Sequence, residues 1–328
     1  MNAEARPRIL FFGSGAFAVP TLQRLHAAGY PILAVVSQPP KPAGRGMQLK
    51  KTPVHEAAES LGLPVWTPER LRSSEFIEQV RRLAPDLIVL AAYGKILPAE
   101  LLQIAPLGNW NLHASLLPKY RGAAPIQYAI LNGETETGVT LMEMVAEMDA
   151  GDIYLQVVEP IYPEDDAGTL ETRLAERAAE LAVEGLHRLQ AGTLTRTPQD
   201  HSQATYAPLI RKEDTFLRWE ETAIRCHNRV RAFSPKPGAL TRWRGKLLKL
   251  WRTQPLPLEL VPPASGGNLQ EGGPGTLIHV SPEGLIVACG EGALCILELQ
   301  PENRARMNAR DFINGYRPQL GERMEPVS

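Results

Sequence analysis

"RILFFGSGAFAVPTLQRLHAAGYPILAVVS", residues 8–37, decides the fold of the first half of the chain. It begins with a short apolar run that ends in glycine, which is typical of a buried strand. Residues 17–29 then space their apolar side chains as a helix does and also end in glycine. Residues 31–37 are a second short apolar run. The order strand, helix, strand predicts two parallel strands joined by a crossover helix.

The same alternation continues to about residue 145. Further strand-like runs lie at residues 85–94, 108–116 and 137–145, and helical patterns lie at residues 52–62 and 75–84. We therefore expect an α/β fold with a Rossmann-like, mostly parallel sheet and helices on both faces. Ligands bind to such sheets at the carboxyl ends of the strands, so a functional site is expected there.

The second half of the chain has a different pattern. A long amphipathic pattern over residues 171–192 predicts the last helix of a first domain, residues 1–192. Residues 193–210 are irregular and read as a linker. Beyond them, one short helical pattern is followed by short strands separated by Gly and Pro. This predicts a small OB-like β-barrel domain over residues 211–328.

Composition narrows the class of protein. The chain has 328 residues, a net charge of −1 and a 44% hydrophobic share, which fit a globular protein with two domains. Three cysteines, Cys226, Cys289 and Cys295, cannot all pair with one another and form no Cys-x-x-Cys motif. They favour a reducing, cytoplasmic setting. The sequence shows no signal peptide or membrane-spanning run, so we expect no membrane partner.

One glycine motif favours a function that the rest of the sequence does not support. "GSGAFA", residues 13–18, follows a predicted strand and matches the dinucleotide pattern G-x-G-x-x-G/A. A nicotinamide cofactor also needs an acid near the end of the second strand, to hold the ribose hydroxyls. That strand continues as "VVSQPPKPAGRG", which has none. A glycine turn that lets a helix pack on a strand is the better interpretation.

Three polar residues form a candidate catalytic group. Asn111 and His113 lie two apart on a predicted strand, so their side chains point to the same face. Asp149 lies in a predicted turn after the next strand. An amide donor, an imidazole and a carboxylate suit the transfer of an acyl group to an amine, because no nearby Ser or Cys is placed as a nucleophile. The alternative is that Asn111 and His113 tie down a loop and Asp149 is only a turn residue.

Two strings in this region resemble one enzyme family. "NLHASLLPKYRGAAPIQ" (residues 111–127) and "GVTLMEMVAEMDAGD" (residues 138–152) closely resemble the 10-formyltetrahydrofolate-dependent formyltransferases. The resemblance extends over nearly the full chain, including "QPPKPAGRG", "AAYGKILP" and the small C-terminal domain. It implies that Asn111, His113 and Asp149 are catalytic and that the formyl donor is 10-formyltetrahydrofolate.

The resemblance also implies a folate-binding wall next to His113. Its four residues are Ser115, Leu116, Leu117 and Pro118. A stiff turn there would hold the donor at a fixed distance from the imidazole. The chain departs from the family where Gly13-Ser14-Gly15 replaces Gly-Thr-Pro and where Ala114 replaces a glycine.

The acceptor implied by the full-length resemblance is the methionine carried by initiator tRNA. Residues 38–52 contain Lys41, Arg45, Lys50 and Lys51 and no acid. We expect this basic loop to enter the acceptor end of the tRNA, with Arg45 as its main contact. Residues 211–252 contain 12 Lys and Arg against 4 Asp and Glu. This excess of positive charge favours binding to the phosphate backbone of a nucleic acid.

Other side chains are expected to have structural roles. Trp110 is predicted to be a core residue. His55, His187 and His227 lack the spacing of metal ligands, so no metal is expected. We further expect a monomer.

Four other functions remain as alternatives. A related formyltransferase could act on an amino-sugar nucleotide or a glycinamide nucleotide, although the basic 38–52 loop argues against a small acceptor. Water could replace the amine, in which case the enzyme would hydrolyse the donor. A non-catalytic RNA-binding protein would not need Asn111, His113 and Asp149. A dehydrogenase lacks its ribose-binding acid.

Overall fold

The computed structural model describes residues 6–43, 48–257 and 273–327. The chain divides into two compact units. The first consists of the residues up to Pro125 together with Glu136–Pro160 and Glu171–Pro208. The second consists of Ile126–Thr135, Ile161–Leu170 and the residues from Leu209 onward. Residues 193–208 of the expected linker therefore belong to the first unit.

The chain up to residue 190 contains nine strands and six α-helices within its described part. The strands are β1 (Ile9–Gly13), β2 (Ile32–Val36), β3 (Lys41–Ala43), β4 (Gln48–Lys50), β5 (Val65–Trp66), β6 (Leu87–Ala91), β7 (Asn109–His113), β8 (Glu136–Glu143) and β9 (Ile153–Pro160). The helices are α1 (Val19–Ala27), α2 (Pro53–Ser60), α3 (Ser74–Leu83), α4 (Ala99–Leu102), α5 (Pro125–Leu131) and α6 (Ala167–Gln190).

The sheet of the first unit has seven strands in the order β5-β2-β1-β6-β7-β8-β9. The five strands from β5 to β7 are parallel, whereas β8 and β9 run antiparallel to their neighbours. The prediction of a mostly parallel sheet is confirmed. The direction of β9 follows from the short, helix-free connection after β8, because a parallel return needs a long crossover.

Strand β1 is buried along its whole length, which requires cover on both faces of the sheet. Leu10 and Phe12 pack in one hydrophobic cluster with Phe76 and Val80 of α3. Ile9 and Phe11 point to the opposite face, since side chains alternate along a strand, and they are also buried. This packing fixes the position of β6, which pairs with β1, and through β6 the position of β7.

Helix α6 packs against the strand that carries the candidate site. A side chain at Gly185 would overlap Leu141 of β8 and press on Trp110 of β7, so the helix can approach only because this position is a glycine. The indole of Trp110 is buried beneath the helix, as predicted for a core residue. The neighbouring Asn111 therefore points away from α6, because successive residues of β7 face opposite sides.

The second unit is built on an antiparallel sheet. After α7 (Ala223–Ala232) it contains β10 (Ala239–Trp243), β11 (Lys246–Leu256), β12 (Leu277–Ser281), β13 (Gly284–Ala288), β14 (Ala293–Pro301), β15 (Met307–Asn308), α8 (Ala309–Tyr316) and β16 (Met324–Glu325). The main strand order is β12-β13-β14-β11-β10-β16, with β15 on β14. A bridge between Thr276 and Arg323 brings the two ends of this order together, so the sheet curls towards the predicted barrel.

The core of the second unit is closed by helices and large aromatic residues. Trp219 and Phe312 are fully buried, and the Trp219 indole donates to Thr241 at 3.0 Å. Cys226 and Cys289 are buried free thiols. In the part of the chain that the structure covers, no helix combines the length and the apolar character needed to cross a membrane.

Candidate active site

Strand β7 places Asn111 and His113 on one face at its carboxyl end. In the sheet Asn111 lies beside Leu90 of β6 and Met142 of β8, and His113 lies beside Thr140. The imidazole is 6% exposed and Asn111 is half-buried. The neighbours of Asn111 on both sides and of His113 on β8 set the face of the sheet that these two side chains occupy.

Asp149 reaches the same place from the turn between β8 and β9. Its Oδ1 accepts from Asn111 Nδ2 at 3.4 Å, and its Oδ2 lies 3.7 Å from His113 Nδ1. The backbone N–H of Gly122 donates to Oδ2 at 2.9 Å. An amide, an imidazole and a carboxylate separated by up to 38 positions in the chain therefore meet at one point.

The backbone of Asp149 adopts an unusual conformation. Its φ is +53°, in the left-handed region, where a residue other than glycine is disfavoured by roughly 1–2 kcal/mol. Asp tolerates this region better than most residues because its short polar side chain can hydrogen-bond locally. The bonds that the Asp149 carboxylate makes here are long-range: the N–H of Gly122 and the amide of Asn111 hold it beside His113.

The imidazole of His113 is fixed by its other nitrogen. Nε2 lies 2.9 Å from the carbonyl oxygen of Tyr120, and a carbonyl can only accept, so Nε2 carries a proton. Nδ1 is then the nitrogen that can exchange a proton, and it faces Asp149. The 3.7 Å separation is longer than a hydrogen bond, but contacts of this kind often shorten when a substrate binds.

The four residues of the expected folate wall have two different environments. Ser115 and Leu117 are buried, whereas Leu116 and Pro118 are half-buried. The Ser115 hydroxyl donates to the Lys119 carbonyl at 2.7 Å. Only Leu116 and Pro118 thus have apolar surface available to a ligand, while Ser115 and Leu117 hold the turn in shape.

Thr140 of β8 fixes this turn through a single hydroxyl. Its Oγ1 donates to the Ser115 carbonyl at 2.7 Å and accepts from the Leu117 N–H at 3.1 Å. Gln156 of β9 donates both to Thr140 Oγ1 and to the Leu117 carbonyl, each at 2.9 Å. Thr140 is completely buried. Sequence reasoning missed Gln156, which lies outside both strings that carry the resemblance, and Thr140, which lies in the second string but has no local pattern that connects it to this turn.

Two further residues that sequence reasoning did not identify, Gln199 and Arg121, support the turn of Asp149. Gln199 donates to the carbonyls of Asp149 and Gly151, at 2.9 and 2.6 Å. Arg121 donates to the Gln199 carboxamide oxygen from Nε at 3.2 Å and from Nη2 at 2.7 Å. Arg121 is only 2% exposed, so this guanidinium is buried next to the site. The string "KYRG" contained Arg121, but nothing in the sequence connected it to Gln199.

The basic loop at residues 38–52 contains an antiparallel ribbon made by β3 and β4. The backbones of Lys41 and Lys50 are partners across the ribbon. Leu49, which precedes Lys50, is 69% exposed. Lys51, just after the ribbon, is ion-paired with Glu59 of α2 at 2.7 Å. This hydrogen bond lowers the pKa of the Glu59 carboxyl. Arg45 lies outside the described residues.

The basic stretch at residues 211–252 is partly neutralised by acids from later in the chain. Arg252 is paired with Glu298 at 3.2 Å, and Arg244 with Glu322 at 2.6 Å. Counting charges within the stretch could not include these partners, because they come from β14 and from the turn before β16. Within the described ranges, no group of three or more His, Cys, Asp or Glu is arranged to hold a metal ion.

Comparisons with known proteins match both halves of the chain. The family described as "Formyl transferase" matches residues 7–186, and "Formyl transferase, C-terminal domain" matches residues 209–317. The methionyl-tRNA formyltransferases of Solibacter usitatus and Geobacter metallireducens are each 45% identical to this chain. The alignments cover 97% and 96% of this chain, respectively, and 98% of each relative.

Solved structures share the fold at lower identity. HypX from Aquifex aeolicus in complex with tetrahydrofolic acid has a TM-score of 0.62 and 20% identity, over 96% of this chain and 48% of its own. WlaRD, a sugar 3N-formyl transferase, has a TM-score of 0.62 and 17% identity, over 92% of this chain and 100% of its own. At these identities the likeness concerns the fold.

Proposed function

Because the chain belongs to the formyl transferase family, we propose that it transfers the formyl group of 10-formyltetrahydrofolate to the α-amino group of methionine on initiator tRNA. The observation that carries this proposal is the 45% identity to methionyl-tRNA formyltransferases over 97% of the chain, which includes the second unit as well as the first. The reaction would serve translation initiation in the cytoplasm.

In this proposal Asn111, His113 and Asp149 act on the two reacting groups. The Nδ2 of Asn111 donates to the formyl oxygen, which gains negative charge when the amine attacks. His113 exchanges a proton through Nδ1, since its Nε2 is occupied by the Tyr120 carbonyl. Asp149 orients the ring and stabilises its charged form during the transfer. The new bond forms between the amine nitrogen and the formyl carbon, the bond from that carbon to the donor nitrogen breaks, and the proton lost by the amine passes to the departing nitrogen.

The environment of the turn at residues 115–118 fits a flat aromatic donor. Leu116 and Pro118 provide half-buried apolar surface beside the trio of Asn111, His113 and Asp149. The hydrogen bonds to Thr140 keep that surface in place. The donor supplies a formyl group attached to a nitrogen that can leave. The chain's own contribution is to hold that group at a fixed distance from Asn111 and His113.

We propose that the acceptor tRNA is contacted by the basic ribbon and by the second unit. Lys41 and Lys50 are exposed on the ribbon, and Arg45 lies between its two strands in the sequence. Residues 1–192, together with 193–208 of the expected linker, would carry the chemistry, and residues 211–328 would hold the tRNA stem. A monomer is sufficient for this arrangement, because the proposal takes every catalytic side chain from one chain.

The experiment that tests the function compares acceptors. Purified protein is incubated with 10-formyltetrahydrofolate and either methionyl initiator tRNA, free methionine, or an amino-sugar nucleotide. We expect formylation of the charged tRNA alone. Formylation of the amino-sugar nucleotide instead would identify a sugar formyltransferase. Release of formate without any formylated acceptor would identify a hydrolase.

A further inference from the structure

Gln199 joins the turn of Asp149 to a buried arginine. Its carboxamide nitrogen donates to the Asp149 carbonyl at 2.9 Å and to the Gly151 carbonyl at 2.6 Å. Its oxygen accepts two bonds from Arg121. Both donors and both acceptor sites of a single amide are thus used, and the side chain is only 6% exposed.

The segment that follows Gln199 also supports the opposite side of the trio. Arg121 N donates to the Thr205 carbonyl at 2.8 Å, and Ala207 N donates to the Arg121 carbonyl at 2.8 Å. Thr205 Oγ1 accepts from Tyr120 N at 2.8 Å. These bonds hold residues 120–122, which supply the carbonyl that fixes the ring of His113 and the N–H that binds the carboxylate of Asp149.

We propose that Gln199 is a positioning residue that sets the direction of the Asp149 carboxylate, with Arg121 holding the amide in its working orientation. This inference rests on the proposed function, since it assumes that Asp149 acts in formyl transfer. The physical reason is that Asp149 adopts a disfavoured left-handed backbone, so an external bond to its carbonyl decides where the side chain points.

Only an amide satisfies all four contacts at this position. A glutamate would still accept from Arg121 but would place an oxygen against the two carbonyls, which repel it. Alanine would leave the two carbonyls and the guanidinium without these partners. His201 offers a matched control, because its Nδ1 also lies 3.2 Å from Arg121 Nη2 but the ring is exposed and bonds neither Asp149 nor Gly151 in the hydrogen bonds described.

The test is a set of steady-state formylation assays, with enzyme well below both substrates, on the parent, Gln199→Ala, Gln199→Glu and His201→Ala. A displacement of the carboxylate by about 1 Å is expected to lower kcat roughly 10- to 100-fold in both Gln199 variants. The KM for charged tRNA and His201→Ala activity should stay within about twofold of the parent. Urea midpoints confirm that each variant is folded, and Gln199→Glu keeps the test valid if Gln199→Ala unfolds.

A double-mutant cycle separates positioning from a general structural role. Once Asp149 is replaced by Ala, adding Gln199→Ala should change kcat by less than about twofold, because no carboxylate is left to position. Parental kcat in both Gln199 variants would overturn the inference, and so would an equal loss with and without Asp149. An active parent with a strongly lowered but still measurable kcat in Asp149→Ala would leave the proposed function intact in either case, whereas unchanged kcat in Asp149→Ala would contradict the proposed site itself.

Discussion

Asp149 Oδ2 lies 3.7 Å from His113 Nδ1, on the side of the ring opposite the Tyr120 carbonyl that binds Nε2. One nitrogen of the ring is therefore held by a backbone carbonyl, and the other faces a carboxylate. In the proposed reaction His113 can exchange a proton at Nδ1 without turning, because Nε2 keeps the ring in place.

Replacing His113 with alanine removes both roles. We expect His113→Ala to lower kcat by about 100- to 10,000-fold, the range typical of a general acid or base. The KM for tRNA should change much less, since the tRNA contacts are proposed to lie elsewhere. The control is His187→Ala, because His187 is an exposed residue near the end of α6. Near-normal kcat in His113→Ala would show that the imidazole is only structural.

Two substitutions of Asn111 distinguish the role of its amide donor from the role of its size. Asn111→Asp keeps the size but replaces the amide donor with an oxygen that faces the Asp149 carboxylate. Asn111→Ala removes the group altogether. Loss of an oxyanion donor lowers kcat by about 100- to 1,000-fold, so we expect at least that from Asn111→Ala and as much or more from Asn111→Asp. If Asn111→Asp were as active as the parent, Asn111 would have no role as a donor.

Local sequence patterns were sufficient for five of the seven strands in the sheet of the first unit, all but β5 and β9, and for two of the three catalytic candidates. Short apolar runs predicted β1, which ends in glycine, and β2, and the two-residue period of a strand put Asn111 and His113 on one face. Asp149 could not be placed beside them in this way, because the contact spans 38 positions and depends on how β8 returns along β7.

Sequence reasoning missed contacts between residues that are far apart in the chain and that belong to no recognisable sequence pattern. Gln199 lies in a stretch that looked like a linker, yet its amide reaches the Asp149 turn. The sequence suggested that Lys51 belongs to a basic loop without acidic partners, but Glu59 of α2 forms an ion pair with it. Such partners become visible only when the chain is folded, because hydrogen bonds between distant residues leave no periodic signal in the sequence.

The hydroxyl of Thr140 is expected to matter for both stability and donor binding. Thr140→Val keeps the shape but leaves the Ser115 carbonyl and the Leu117 N–H without their partner, which costs about 1–3 kcal/mol of unfolding free energy. The KM for the folate should also rise, because the turn loses its support. Urea unfolding and folate titrations measure the two effects. Thr137→Val, in the same strand and also buried, is the control and should leave the folate KM unchanged.

The ribbon lysines should affect tRNA binding unequally. Lys41→Ala and Lys50→Ala are expected to raise the KM for charged tRNA. Each should also make the slope of log binding constant against log salt concentration shallower by about 0.7–0.9. Lys51→Ala should have a smaller effect, because the Lys51 ammonium is already paired with Glu59. Glu59→Gln should release Lys51 and tighten tRNA binding.

Two controls make the lysine test specific. The KM for the folate should not change in any of these variants, since the donor is proposed to bind at residues 115–118. Arg188→Ala changes the net charge equally, but its side chain pairs with Glu184 on α6. An equal rise in the tRNA KM for Arg188→Ala and Lys50→Ala would show that net charge, and not the ribbon, controls binding.

His227 of α7 should make the stability of the second unit depend on pH. Burial, together with the charge of Arg231, lowers the pKa of His227 to about 4, and Nδ1 lies 2.9 Å from Thr253 Oγ1. The folded state therefore binds the proton less readily than the unfolded chain, whose histidine pKa is about 6.5. Stability from this group is complete above pH 6.5 and is lost as the pH falls towards 4.

The measurement is urea unfolding of the parent and of His227→Gln between pH 7 and pH 4.5. Between these values the parent should lose about 2–3 kcal/mol more unfolding free energy than the variant. The variant is expected to be less stable at pH 7, so the comparison uses the change with pH and not the absolute value. His187→Gln serves as the control and should follow the parent, because an exposed histidine has nearly the same affinity for protons in both states. Parallel curves for the parent and His227→Gln would show that the buried imidazole does not cause the loss of stability in acid.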